Sequence, residues 1–112
     1  MIDIFHITRC ADWQKALEDG AYQADTLASQ GFIHCSTRAQ VLGVANRMFR
    51  AQHGLVLLEI DSRRVQPEIR RENLEGGTEL FPHIYGPLNL EAVEKVIEFE
   101  PGPDGTFSPP AE

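Results

Sequence analysis

The strongest constraint on the fold comes from residues 55–61, whose sequence is LVLLEID. A nearly continuous apolar run is typical of a strand that is covered on both faces, because a strand with one solvated face alternates with polar residues. The pair His53-Gly54 precedes the run and ends the segment before it, and Pro67 breaks the turn that follows. We therefore predict that residues 55–61 form a central strand of a β-sheet.

Two amphipathic helices are predicted before this strand. Residues 12–19 place Trp13, Ala16 and Leu17 on one face, and Gly20 follows where a helix needs a left-handed exit residue. The second helix begins after Ser36 or Thr37, with a capping box completed by Gln40, and runs to His53-Gly54. Its predicted inward stripe consists of Val41, Val44, Ala45 and Met48.

The rest of the sequence predicts four further short strands. These strands cover residues 2–7, 31–35, 68–73 and 92–100, and Gly76-Gly77 is predicted to form a turn. Residues 21–30 are predicted to form a loop anchored by Tyr22 and Leu27. The later strands have connections too short for helical crossovers. The sequence thus predicts one α+β domain over residues 1–100, with a mixed or antiparallel sheet and two helices in the N-terminal half.

The tail and the composition narrow the classes of protein that this chain can belong to. Residues 101–112 hold four of the seven prolines, which predicts a flexible tail. Seventeen acidic against ten basic residues give a net charge of −7, which disfavours bulk nucleic-acid binding. No segment approaches the ~20 apolar residues of a membrane span, and no leader pattern opens the chain, so we expect a cytoplasmic protein without membrane association. The oligomeric state is left open.

Histidines in apolar surroundings are the candidates for chemistry. His34 lies in a predicted strand and shares its face with Ser36, which sits near the start of a helix. His83 and Tyr85 lie in a segment stiffened by two prolines, and His6 is followed by Thr8 at the end of the first strand. A buried histidine needs either a satisfied hydrogen bond or a chemical task, and the residues alone leave both alternatives open.

Metal and nucleophile chemistry have weaker sequence signals. Cys10 and Cys35 form no CxxC pair, so we expect reduced thiols. Scattered histidines with Cys35 or Glu72 could bind a metal only if the fold brings them together. Ser36 lacks a GxSxG setting for a nucleophile. We therefore expect no metal, although a metal-dependent enzyme stays an alternative.

Several segments together resemble one small bacterial family. The chain is similar to the DUF952 family, whose members are of unknown function, over residues 1 to about 100. The segments that carry the resemblance are Phe5-His6-Ile7-Thr8, Trp13, the run GFIHCST at residues 31–37 with Gln40, the run LVLL at residues 55–58, Glu72, and the run FPHIYGPL at residues 81–88.

A more distant resemblance implies a function. A strand ending in His-x-Thr, a Trp-containing helix ending in Gly, and a strand followed by a capped helix are similar to the NAD-using ADP-ribosyltransferase superfamily, which includes RNA 2′-phosphotransferases. The resemblance implies that His6 holds the adenosine-side ribose, that His34 packs against nicotinamide, and that His83 acts near the other ribose. His34 and His83 are thereby the implied catalytic residues. The implied NAD-binding residues are His6, Thr8, His34, Ser36 and Tyr85.

One departure from that superfamily changes the expected chemistry. His83 stands where many members have glutamate, and a neutral histidine does not supply the negative charge that stabilises a cationic ribose. Phosphate transfer, glycohydrolysis or binding alone therefore fits the resemblance better than protein ADP-ribosylation, and Glu72 is a candidate for the missing carboxylate. The alternative hypotheses are a non-catalytic domain that binds a small anion or a protein, and a metal-dependent enzyme.

Overall fold

The computed structural model of the protein describes residues 3–73 and 77–109, which fold into antiparallel sheets and three helices. The strands are β1 (Asp3–Arg9), β2 (Ala21–Tyr22), β3 (Ile33–His34), β4 (Leu55–Asp61), β5 (Glu68–Glu72), β6 (Phe81–Tyr85), β7 (Leu88–Asn89) and β8 (Val93–Phe99). The helices are α1 (Cys10–Asp19), α2 (Asp25–Gln30) and α3 (Arg38–Met48). In the part of the chain that the structure describes, no helix has the length and apolarity needed to cross a membrane.

The first sheet has the strand order β1-β4-β8 and confirms the prediction for residues 55–61. Every residue of β4 is buried, because its two faces pack into two different parts of the core. Val56 and Leu58 belong to the cluster that also contains Trp13. Leu55 and Leu57 belong to the cluster under α3. The absence of polar alternation in β4 thus reflects coverage on both faces.

The second sheet has the order β3-β6-β5 and corrects one prediction. Residues 81–85, predicted as part of a stiffened loop, form its middle strand β6. Proline normally disrupts a central strand, since it has no N–H for the ladder. Pro82 is tolerated because it lies beyond the two-residue pairing of β3 with β6, and its carbonyl accepts the N–H of Cys35 at 3.0 Å.

The predicted single sheet is therefore two three-stranded sheets and a β2-β7 ribbon, and all pairings among the described residues are antiparallel. The two larger sheets meet at an isolated bridge between Phe5 of β1 and Ser36, which follows β3. The two residues exchange backbone hydrogen bonds of 2.7 and 2.8 Å. This bridge, hereafter the seam, places β1 beside β3.

The helices differ from the prediction in number and length. α1 ends at Gly20 with φ 85°, as predicted, but it begins at Cys10. Of its predicted apolar face, Trp13 and Ala16 are buried, whereas Leu17 is 50% exposed. The predicted loop at residues 21–30 contains β2 and α2, so the described residues form three α-helices and not two. α2 buries none of its residues, which explains why its sequence shows no apolar stripe. The positive φ of Gly31, 87°, ends α2 as Gly20 ends α1.

The capping box of α3 is confirmed. The N–H of Thr37 donates to the side chain of Gln40 at 3.0 Å. Of the predicted inward stripe, Val41 and Ala45 are buried, but Met48 is 61% exposed. The helix ends at Met48 and not at His53-Gly54, so Met48 lies in the last turn, beyond the part of the helix that covers the sheet.

Residues 101–109 pack against the domain through one aromatic side chain. Phe107 is 4% exposed and stacks on Phe99 of β8 with ring centroids 4.7 Å apart. Its N–H donates to the Oδ1 atom of Asn46 on α3 at 2.6 Å. The prediction of a flexible tail follows from the proline content. Composition does not reveal the contacts that one residue, Phe107, makes with the domain.

Candidate functional site

A cleft of about 840 Å³ opens where β1, β3 and β6 approach the C-terminal half of α3. The predicted site residues His6, Thr8, His34, Ser36 and His83 all lie in its lining. Tyr85 is outside the lining, although its ring lies 5.3 Å from that of Phe32, which is inside it.

Strand alternation explains why rings gather on one side of the second sheet. His34 and His83 are direct partners across β3 and β6, so their side chains leave the same face. Ile33 and Ile84, the neighbouring pair, point to the other face and are fully buried in the core. One face of this sheet therefore supports the core, and the other presents aromatic and imidazole rings.

The rings form a compact cluster around Phe32. The rings of Phe32 and His83 are stacked, with centroids 4.2 Å apart and planes 19° apart. The His34 ring meets Phe32 edge-on at 4.7 Å and His83 edge-on at 4.9 Å. Aromatic contacts of these two geometries hold rings in fixed positions relative to each other. The cluster thus offers a preorganised wall to a ligand.

A carboxylate lies behind His83. The Nδ1 atom of His83 is 3.0 Å from Oε1 of Glu72 on β5, and the Tyr85 hydroxyl donates to the same oxygen. In the β5–β6 pairing the direct partner of His83 is Arg70, so Glu72, two residues further along β5, lies diagonal to His83. The Tyr85 hydrogen bond, followed by that of His83, lowers the pKa of Glu72, so Glu72 is a carboxylate at neutral pH.

Arg70 completes this side of the sheet. Its guanidinium lies 4.3 Å from the centre of the Tyr85 ring and forms an ion pair with Glu68 at 3.1 Å. Tyr85 therefore has a supporting position in the structure: its ring is covered by Arg70 and its hydroxyl is bonded to Glu72.

His6 is held by a chain of hydrogen bonds at the base of the cleft. Its Nδ1 lies 2.5 Å from the backbone oxygen of His34, and its Nε2 lies 2.7 Å from the Tyr22 hydroxyl. Because a carbonyl only accepts, Nδ1 carries the proton and Nε2 accepts from Tyr22. The Tyr22 oxygen is also 2.8 Å from the Thr8 hydroxyl, which then donates to it.

Burial keeps the hydrogen-bonded side chains of His6 and Tyr22 uncharged. Desolvation lowers the pKa of His6 to about 4, an effect that outweighs the opposing hydrogen bond to the His34 carbonyl. Burial likewise raises the pKa of Tyr22 to about 12. His6 is thus a neutral ring with both nitrogens engaged, which makes it a residue that positions its neighbours.

His34 and Cys35 diverge at the end of β3. The Nε2 of His34 donates to Oε1 of Gln30, the last residue of α2, at 2.8 Å, and the ring is partly exposed. Cys35 points into the core, and burial raises the pKa of its thiol far above neutrality. Cys35 is therefore a protonated core residue, which argues against a role as metal ligand or nucleophile.

The charges of the cleft come from α1, α2 and α3. Arg9 lies in the lining and pairs with Asp12 at 3.0 Å and with Asp25 at 3.9 Å. Arg47, exposed on α3, lies in the lining as well. The cleft thus has a ring cluster on the second sheet, and its charged lining combines the guanidinium groups of Arg9 and Arg47 with the carboxylates of Asp12 and Asp25.

Sequence reasoning undervalued three residues of this region. Tyr22 was expected only to anchor a loop, yet it joins Thr8 to His6. Phe32 is the centre of the ring cluster, and its two-residue spacing from His34 was the available signal. Glu72 was considered as a carboxylate, but its contact with His83 depends on the β5–β6 register, which requires β6 to be identified as a strand.

Comparisons with known proteins give a family and a structural relative. The sequence model of the DUF952 family, described as a protein of unknown function, matches residues 7–96. The crystal structure of protein CC0527 from Caulobacter crescentus is similar, with 30% identity over 95% of this chain and 93% of that one, and a TM-score of 0.85. Its solution NMR structure gives 31% identity over 95% and 91% of the two chains, and a TM-score of 0.82. No curated protein matches.

Proposed function

Since the chain belongs to the DUF952 family of proteins of unknown function, we propose that its cleft binds a nucleotide of the NAD class in an ADP-ribosyltransferase-like domain. The observation that supports the proposal is the convergence of three histidine-bearing strands, β1, β3 and β6, on one cleft. His6, His34 and His83 occupy these strands in the order that the resemblance implies.

The size and lining of the cleft suit such a ligand. A volume of about 840 Å³ falls within the ~300–1,000 Å³ that small-molecule and cofactor sites occupy. The partly exposed His34 ring, which rests edge-on against the buried rings of Phe32 and His83, offers ring surface against which a base or a nicotinamide can pack. Thr8 and Ser36 supply hydroxyl groups in the lining, which suit the hydroxyls of a ribose.

The distribution of charge supports a ligand that carries phosphate. The chain has a net charge of −7, and the lining holds the guanidinium groups of Arg9 and Arg47 together with the carboxylates of Asp12 and Asp25, both of which pair with Arg9. Guanidinium groups bind phosphate oxygens through paired N–H donors. A ligand with rings at one end and phosphates at the other would place its rings on the second sheet and its phosphates toward α1 and α3.

A metal-dependent reaction has less support from these side chains. His6 uses both ring nitrogens in hydrogen bonds to His34 and Tyr22, and the pKa of the Cys35 thiol is raised. Neither residue offers a ligand atom without breaking the contacts around it.

An NMR titration of the ¹⁵N-labelled protein with NAD, and separately with ADP-ribose, tests the proposal. We expect shifts confined to amides of residues 5–9, 31–37 and 81–85 and to amides around Arg47, with saturation at millimolar ligand. His34→Gln should weaken binding by roughly tenfold, the effect of losing about 1.4 kcal/mol of contact. His53→Gln is the matched control, because His53 is exposed and pairs with Glu100 away from the cleft lining.

Two results would overturn the proposal. One is an absence of amide shifts with either ligand at millimolar concentration. The other is equal affinity in the His34→Gln and His53→Gln variants, both with wild-type-like amide spectra. Binding of NAD without release of nicotinamide from NAD in a separate assay would assign the cleft to recognition without catalysis.

A further inference from the structure

The contact between Glu72 and His83 determines where the proton of the neutral imidazole lies. The carboxylate of Glu72 accepts, so the Nδ1 of His83, at 3.0 Å, must donate. A neutral imidazole has one N–H, and its other nitrogen then holds a lone pair. For neutral His83 this nitrogen is Nε2.

The Nδ1 edge of the His83 ring faces Glu72, while the residue itself lines the cleft. Glu72, which holds Nδ1, lies on β5 outside the cleft lining, whereas His83 lies within it. The stacked ring of Phe32 covers one face of the imidazole and keeps it from rotating, and His83 is only 3% exposed. The ring is therefore held at both its Nδ1 edge and one face.

Glu72 is itself held in place and charged. Its Oε1 accepts from the Tyr85 hydroxyl as well as from His83, and these two hydrogen bonds lower its pKa. A fixed carboxylate behind a histidine stabilises the imidazolium that forms when Nε2 takes up a proton. The same pairing orients the ring while it is neutral.

We propose that the Nε2 atom of His83 is a general base for a hydroxyl group bound in the cleft, and that Glu72 is the positioning residue that holds it in this state. In the step, the O–H bond of a water or alcohol breaks, the proton moves to Nε2, and the electron pair stays on the oxygen. The resulting imidazolium faces the Glu72 carboxylate. The inference rests on the proposed function for the cleft, and it assigns a hydroxyl-bearing acceptor as the second ligand class.

The tautomer of His83 provides a test that needs no ligand. Long-range ¹H–¹⁵N spectra of the protein near neutral pH should show the proton of His83 on Nδ1. Glu72→Gln replaces the charged acceptor by an amide that can either accept or donate, so the population of the Nδ1–H form should fall. Glu68→Gln is the matched control, because Glu68 lies on the same strand and pairs with Arg70.

The outcomes separate this inference from the proposed function. A neutral His83 with its proton on Nε2 would overturn the inference, even if NAD binds. An Nδ1–H population of His83 that is equal in the Glu72→Gln and Glu68→Gln variants would overturn it as well. Conversely, the predicted tautomer and the predicted effect of Glu72→Gln would support the inference in the free protein, while an absence of NAD shifts would count against the nucleotide alone.

Discussion

His6 makes the stability of the domain depend on pH in a defined window. Its pKa is about 4 in the folded protein and 6.5 in the unfolded chain, because burial disfavours the imidazolium. A base with a lowered folded pKa favours the fold fully above pH 6.5 and loses that contribution as the pH falls toward 4. Each pKa unit is worth ~1.4 kcal/mol, so the loss by pH 4 is about 3 kcal/mol. That is a substantial part of the ~5–15 kcal/mol that stabilises a typical domain.

Urea unfolding at several pH values between 7 and 4 measures this loss, with the fluorescence of the buried Trp13 as the probe. The carboxylates of the protein titrate in the same range, so the wild type is compared with His6→Gln. The variant should be less stable at pH 7, and its stability should fall less steeply between pH 6.5 and 4. Parallel pH profiles of the two proteins would refute the reasoning. So would NMR titration of the His6 ring near pH 6.5 in the folded protein.

Two other positions give independent tests of packing and charge. Phe107→Ala should destabilise the domain by about 3 kcal/mol in urea unfolding, because it removes a ring stacked on Phe99. Ser108→Ala, at the exposed next position, is the control and should change stability by less than about 0.5 kcal/mol. Equal effects of the two substitutions would show that residues 101–109 do not contribute to the core. Desolvation, followed by the hydrogen bond to Asp3, raises the pKa of Glu94. Glu94→Gln should therefore stabilise the protein at pH 7 and lose this advantage at acidic pH, where Glu94 is protonated. A gain in stability that persists at low pH would contradict the charge argument.

Much of the fold could be predicted because local signals agreed with tertiary packing. The run at residues 55–61 is apolar on both faces because β4 is covered on both faces, and Gly20 and the Thr37–Gln40 pair end and begin helices as their chemistry requires. α2 escaped prediction since it buries no residue and therefore shows no periodic apolar pattern. β6 escaped because Pro82 is typical of loops, and only the short length of β3 allows it in the middle of a sheet.

The candidate site could be predicted as a set of residues but not as an arrangement. Sequence patterns identified His6, His34 and His83, since each lies among apolar neighbours. Their mutual positions follow from long-range pairings between β3, β6 and β5, which no local pattern contains. Glu72 on β5 contacts His83 on β6 diagonally, and 8 residues lie between the end of β5 at Glu72 and the start of β6 at Phe81. A shift of one residue in the register of these strands would turn Glu72 to the opposite face.

The seam makes the base of the cleft part of the structural joint between the two sheets. The Phe5–Ser36 bridge and the hydrogen bond from His6 to the His34 carbonyl both cross from β1 to β3. Substitutions at these positions would therefore alter the joint and the proposed binding surface together. Val44 and Met48 line the opposite wall on α3 and take no part in these bridging hydrogen bonds. A combinatorial library intended to change the ligand while sparing the scaffold belongs on that helix.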